Sequence, residues 1–114
     1  MKFETDALEG DVQRIALEGR LDIDGSQAID ARFSFLTTGR KANIVVDLTG
    51  VSFLASIGIR LLMTAARGQK GRGGHLVLAA AQPPVLKVMQ TAGIDQLIPV
   101  YPDVESARAA IAGT

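Results

Sequence analysis

Residues 43 to 62 hold the pattern that most narrows what this chain can fold into. Asn43-Ile44-Val45-Val46-Asp47-Leu48 is a short β-branched run that does not alternate with polar residues, the composition of a strand covered on both faces of a sheet. Asp47-Leu48-Thr49-Gly50 closes that run, a short loop follows, and Ser56 then stands where an amphipathic helix begins. A doubly covered strand needs helices on the sheet. A second apolar run, His75-Leu76-Val77-Leu78-Ala79, follows the breaker Gly71-Arg72-Gly73-Gly74. Strand, helix to about Gln69, and strand then form a right-handed βαβ unit with the first strand central in a parallel sheet.

The rest of the chain extends this unit at both ends. Val12-Gln13-Arg14-Ile15-Ala16-Leu17-Glu18 alternates like a half-buried strand, and Glu9-Gly10-Asp11 suits a tight turn from an earlier strand near residues 2 to 8. From about Ser26 to Thr38, Ala28, Ile29, Phe33 and Leu36 recur at helical spacing, with Ser26 as candidate cap and Gly39 as the stop. Gln82-Pro83-Pro84 opens another helix with the stripe Val85, Leu86, Val88 and Met89. Ile94 to Tyr101 reads as a short edge strand, where Pro99 is allowed, and a last helix runs from about Val104 to Ile111. The expected fold is an α/β sandwich with a mixed central sheet of four to five strands and about four helices. No linker or repeat interrupts it, so residues 1–114 are expected to form a single domain with one core.

Composition excludes several classes of function. Lys and Arg number 12, as do Asp and Glu, and no basic block stands out, so the counter-ion release that drives nucleic-acid binding has little to act on. With no cysteine there is no disulfide framework, thiolate metal site or cysteine nucleophile. The acidic N-terminus lacks the apolar core of a signal peptide, and no apolar run approaches the ~20 residues of a membrane span. The expectation is a cytoplasmic protein without direct membrane insertion.

Candidate sites each carry a plain structural alternative. Ser56 at a helix start either caps the first-turn amides or offers them a phosphate, and Ile59 in place of Glu or Gln excludes a reciprocal capping box. Gly58 in that first turn costs ~1 kcal/mol of helix propensity, which implies a close backbone approach. Winding the helix at roughly 100° per residue puts Gly58, Leu62, Ala65 and Ala66 on its buried side and Arg60, Thr64 and Arg67 opposite, with Ile57 near the wet flank. Ile57 there is either part of a protein interface or one scattered apolar residue. Asp22 and Asp24 read as turn and first-turn residues before a helix rather than as a paired-carboxylate site. Gly71 to Gly74 leads into a strand and so cradles no phosphate, and His75, the single histidine, has no nucleophile and orienter arranged with it. No catalytic or metal site and no cofactor is expected.

The motif from Val45 to Leu62, together with Gly19-Arg20-Leu21-Asp22 and the C-terminal helical pattern, resembles the STAS domain (sulfate transporter and anti-sigma factor antagonist) along nearly the whole chain. The resemblance implies a stand-alone anti-sigma factor antagonist, a non-enzymatic switch phosphorylated at Ser56 by its partner. That partner would be an anti-sigma factor serine kinase, a histidine-kinase-like ATPase, held by the unphosphorylated form, and a phosphatase would act on Ser56. The loop from Gly19 to Ser26 is implied to lie beside the phosphorylated turn, so the partner surface is expected at Asp22, Asp24, Ser56, Ile57, Gly58 and Arg60. Ala55 stands where many members carry aspartate. That departure keeps a second reading open, a STAS component that docks on a membrane transport ATPase or transporter without being phosphorylated.

Overall fold

The computed structural model describes residues 1–113. Its elements are β1 (Lys2–Leu8), β2 (Val12–Leu21), α1 (Ile23–Thr37), β3 (Asn43–Leu54), α2 (Ser56–Gly71), β4 (His75–Ala79), α3 (Pro83–Thr91), a 3-10 turn (Ile94–Gln96), β5 (Val100–Tyr101) and α4 (Val104–Ile111). The strands form one sheet in the order β1-β2-β3-β4-β5, with β1 antiparallel to β2 and all other pairs parallel. This is the expected α/β architecture, mixed at one edge only.

Two apolar layers hold the sheet. On one face Ile15, Leu17, Ile44, Val46, Leu76 and Leu78 meet Ile29 and Phe33 of α1, Leu62 and Ala65 of α2, and Val85 and Met89 of α3. On the other, Val12, Val45, Val77 and Ala79 pack under Ala107 and Ile111 of α4. The apolar run of β3 is thus explained, because successive residues point to opposite faces and both faces are covered. At the β1–β2 turn Gly10 has φ +83°, and a Cβ there would lie 2.6 Å from the Ala112 Cβ. Only glycine lets the turn close against the end of α4.

Three boundaries and one buried position differ from the expectations. Ser26 does not cap α1: Asp22 does, its carboxylate accepting from the Gly25 amide at 2.9 Å, while Ser26 is buried one turn in. Aspartate at that position takes the orphan amide first, so the helix starts earlier. Ala28 is exposed and belongs to no buried stripe. Ile94–Gln96 is a 3-10 turn, which reduces the expected edge strand to Val100–Tyr101. Most consequential, β3 does not end at Asp47-Leu48-Thr49-Gly50. It pairs with β4 only as far as Asp47 and continues along β2 to Leu54, with register shifts between Ala16 and Glu18 and between Gly19 and Arg20. Bulges of this kind bend and re-aim a strand, and these bring Leu54 beside Leu21.

Candidate functional site

The carboxyl ends of parallel strands in an open α/β sheet are where loops and helix starts converge, and here β2 and β3 deliver α1 and α2 side by side. The Ala55 amide donates to the Leu21 carbonyl at 3.0 Å, so the two helix entrances are joined through the backbone. Asp22 opens α1 and Ala55 opens α2. Alanine offers no oxygen, and α2 begins without a side-chain cap. Ser56, expected as a possible cap, is instead the first residue inside α2 and is exposed, while the Ile59 amide donates to the Ala55 carbonyl at 3.1 Å. The capping alternative for Ser56 is therefore overturned: its side chain begins one position too late to act as the N-cap.

Gly58 owes its place to the packing beneath it. A Cβ would sit 2.9 Å from the Leu21 carbonyl oxygen and 3.0 Å from both the Leu21 Cβ and a Leu54 methyl. The first turn of α2 rests directly on the end of β2, which is the close approach its glycine implied. Gly58 is itself buried, so of the residues expected at a partner surface it sets the height of the turn and exposes no side chain.

The other candidates lie around that turn. Arg60 is exposed, and Ile57 is half-buried, where its apolar side chain is divided between protein and water. Both line a groove of about 290 Å³ between α1 and α2, with Phe33 and Leu61 as apolar walls and Asp30 on the α1 rim. The buried Ser26 hydroxyl, without a hydrogen-bond partner among the described residues, also faces this groove. Asp22 is less free than its sequence position implied. One oxygen holds the Gly25 amide and the other takes the Arg20 guanidinium at 3.3 Å. The Gly25 hydrogen bond, aided by Arg20 and opposed by desolvation, holds the Asp22 carboxyl below the ordinary aspartate range. Asp24 is exposed in the first turn of α1, where a negative charge complements the helix dipole.

Two contributors escaped the sequence reading. The Arg20 guanidinium lies 4.2 Å from the Phe53 ring centre, a cation–π contact that joins the end of β2 to that of β3. Gln82 donates to the Thr49 carbonyl at 2.7 Å and ties the entry of α3 to the same rim. The first depends on β3 running on to Leu54, which pairs Arg20 with Phe53, and the second joins residues 33 apart in the chain, so no local pattern marks either. Among the described residues no group of three or more acidic, histidine or cysteine side chains is placed to hold a metal ion. No helix among them is long and apolar enough to cross a membrane.

Comparison with known proteins agrees with this architecture. Residues 4–99 match the family model described as Mlab, STAS domain. The chain is 26% identical over 110 residues to BtrV of Bordetella bronchiseptica, a protein named as an anti-sigma factor antagonist, spanning 96% of this chain and 94% of that one. Its fold superimposes on an anti-sigma factor antagonist from Mycobacterium paratuberculosis with a TM-score of 0.86 at 22% identity, covering 96% and 92% of the two chains. A STAS domain protein from Planctomyces limnophilus also gives a TM-score of 0.86, at 25% identity with 96% and 97% coverage. With the five-stranded mixed sheet, the helix pair at its carboxyl rim and a family match over most of its length, this chain belongs to the STAS domain family.

Proposed function

We propose that this protein is an anti-sigma factor antagonist whose binding to an anti-sigma factor kinase is switched by phosphorylation of Ser56. The observation that carries the reading is the exposed Ser56 hydroxyl beside first-turn amides that no side chain caps. A phosphoserine there adds about −1.5 to −2 charges and three acceptor oxygens where the helix dipole and orphan amides accept an anion. The free protein keeps its fold in both forms. Against a partner that offers no matching cation, burying the same charge costs several kcal/mol, and each ~1.4 kcal/mol is a factor of ten in affinity. Binding then falls at least about a hundredfold.

The contact surface in this reading comprises Asp24, Ser56, Ile57 and Arg60, with Asp22 contributing from the cap of α1 and Gly58 holding the turn at contact height. The function is protein binding and not catalysis, and a cytoplasmic setting follows from a kinase partner that uses ATP. A phosphatase acting on phosphorylated Ser56 would reset the switch.

Intact mass spectrometry after incubation with the cognate kinase and ATP tests the assignment. One added phosphate on the wild type and none on Ser56→Ala is the expected result. Ala55 favours one competing reading, because it removes the acidic neighbour of the acceptor hydroxyl: a STAS subunit that docks on a transport ATPase or transporter without phosphorylation. Phosphate on Ser26 or Ser52, none at all, or a Ser56→Asp variant that binds the kinase as tightly as wild type would move the assignment to that reading.

A further inference from the structure

β1 ends the sheet. It pairs with β2 along one side only, so the amides and carbonyls of its other side have no strand partner among the described residues. Most of its side chains are exposed, with Phe3 and Leu8 half-buried. Phe3 and Thr5, which share the α1 face of the strand, border a groove of about 430 Å³ completed by Ala31, Arg32, Phe35 and Leu36. The Arg32 guanidinium lies 4.6 Å from the Phe3 ring centre, which fixes one wall. Phe35 stands over the groove and is 81% exposed, the most exposed of the large apolar side chains. A solvated phenyl ring beside an apolar groove and an open strand edge marks a surface built to be covered.

The charge pattern along the edge identifies what covers it. Antiparallel pairing of β1 with a second β1 about a two-fold axis through Glu4 sets Met1 through Ala7 opposite one another. In that register Lys2 of each copy faces Asp6 of the other, extending the pairs that Lys2 makes with Glu18 at 3.8 Å and Asp6 with Arg14 at 2.8 Å, and Phe3 faces Thr5, while the two Glu4 carboxylates meet at the axis as the one like-charge contact. Moving the axis to Thr5 would set Glu4 against Asp6 twice, and moving it to Phe3 would oppose Lys2 and Glu4 but shorten the ladder to Met1 through Thr5. The axis through Glu4 thus keeps the longer ladder with both Lys2–Asp6 pairs, at the cost of one exposed Glu4–Glu4 contact. An axis normal to the sheet also places both α1 helices on the same face, so that Phe35 of each copy lies over the joined Phe3 and Thr5 rows.

We propose that β1 is a self-association edge, through which two copies of this chain join antiparallel into one continuous sheet with each Phe35 seated in the partner's groove. The inference is independent of the Ser56 switch. Phe35 lies near the end of α1 while Asp22 caps its start, so the helix entrances stay open in the dimer.

Sedimentation equilibrium of the full chain tests the proposal. A reversible monomer–dimer equilibrium with a dissociation constant on the order of 10 to 100 μM is expected, with Phe35→Glu and Lys2→Glu each weakening it at least about tenfold. Leu97→Glu removes an exposed apolar side chain next to β5, at the other end of the sheet, and should leave it unchanged. Circular dichroism checks that each variant remains folded, and amide exchange in β1 should slow as concentration rises. A wild type that stays monomeric throughout, an effect of Leu97→Glu as large as that of Phe35→Glu, or β1 exchange independent of concentration would overturn the proposal.

Discussion

The residues at the entrance of α2 divide the work of a helix start in an unusual way. Ala55 holds the cap position without an oxygen, Ser56 presents its hydroxyl to solvent, and Gly58 lets the turn settle on Leu21. Ser56→Ala should therefore change stability by no more than about 0.5 kcal/mol, whereas loss of a true cap costs about 1 kcal/mol. Ala55→Asp, by supplying the absent cap, should stabilise by about 0.5 to 1 kcal/mol, and urea unfolding of the two variants beside wild type measures both. Gly58→Ala sets a propensity gain of about 1 kcal/mol against a Cβ within 3.0 Å of packed atoms, and steric cost wins. A net loss of about 1 to 3 kcal/mol in the same experiment is expected. On the solvent side of the turn, Arg60→Glu should, if the proposed switch holds, weaken binding to the anti-sigma factor partner while leaving the melting temperature unchanged, which titration beside thermal melting checks. A variant that fails to fold would contradict the exposure of Arg60.

At the scale of elements, one buried glutamine fixes the far ends of the helices that form the site. Gln69, in the last turns of α2, donates to the Thr37 carbonyl at 2.7 Å and to the Arg40 carbonyl at 3.0 Å, and accepts from the Ala42 amide at 2.8 Å. It spans the end of α1 and its whole connection to β3, while Gly74 passes so close to its side-chain oxygen that a Cβ there would clash. Gln69→Leu keeps the volume but leaves the buried Thr37 carbonyl and the part-buried Arg40 and Ala42 groups without their partner, and should destabilise by about 1 to 3 kcal/mol. Because the entrances of both helices are pinned by the Ala55 to Leu21 hydrogen bond, the loss should appear as faster amide exchange at the ends of α1 and α2 before it reaches Ser56. In the sequence Gln69 was only the last polar residue of an amphipathic helix. Its partners lie about 30 residues away, and no local pattern marks a side chain that satisfies a distant loop.

For the whole molecule, acid stability should rest in part on an ion-pair row across the sheet. Arg14 of β2 reaches Asp6 of β1 at 2.8 Å and Asp47 of β3 at 2.9 Å. Burial pushes the Asp47 carboxyl up, but the Thr49 hydroxyl and amide together with Arg14 outweigh it and hold the group below the ordinary aspartate range. A carboxylate depressed by folding contributes stability that is present above its unfolded value near 3.9 and lost as pH falls through the folded one. Asp47→Asn should therefore lower stability at neutral pH by about 1 to 3 kcal/mol and flatten the acid limb below pH ~4, as urea unfolding at several pH values would show. What the sequence by itself determined was the order of strands and helices, the doubly covered β3 and β4, and the position of Ser56 at the start of α2. Each of these follows from periodicity and composition along a few neighbouring residues, which are written locally. Only the tertiary structure decided that β3 runs on to Leu54, that Asp22 and Ala55 hold the caps, and that Gln69, Arg20 and Phe53 bind the site together. For β3 the physical reason is burial: Thr49-Gly50 carries turn residues, but pairing with β2 through two register shifts buries Val51 and Leu54, which outweighs the local preference for a loop, while Gln69 and the Arg20–Phe53 pair depend on partners about 30 residues away in the chain.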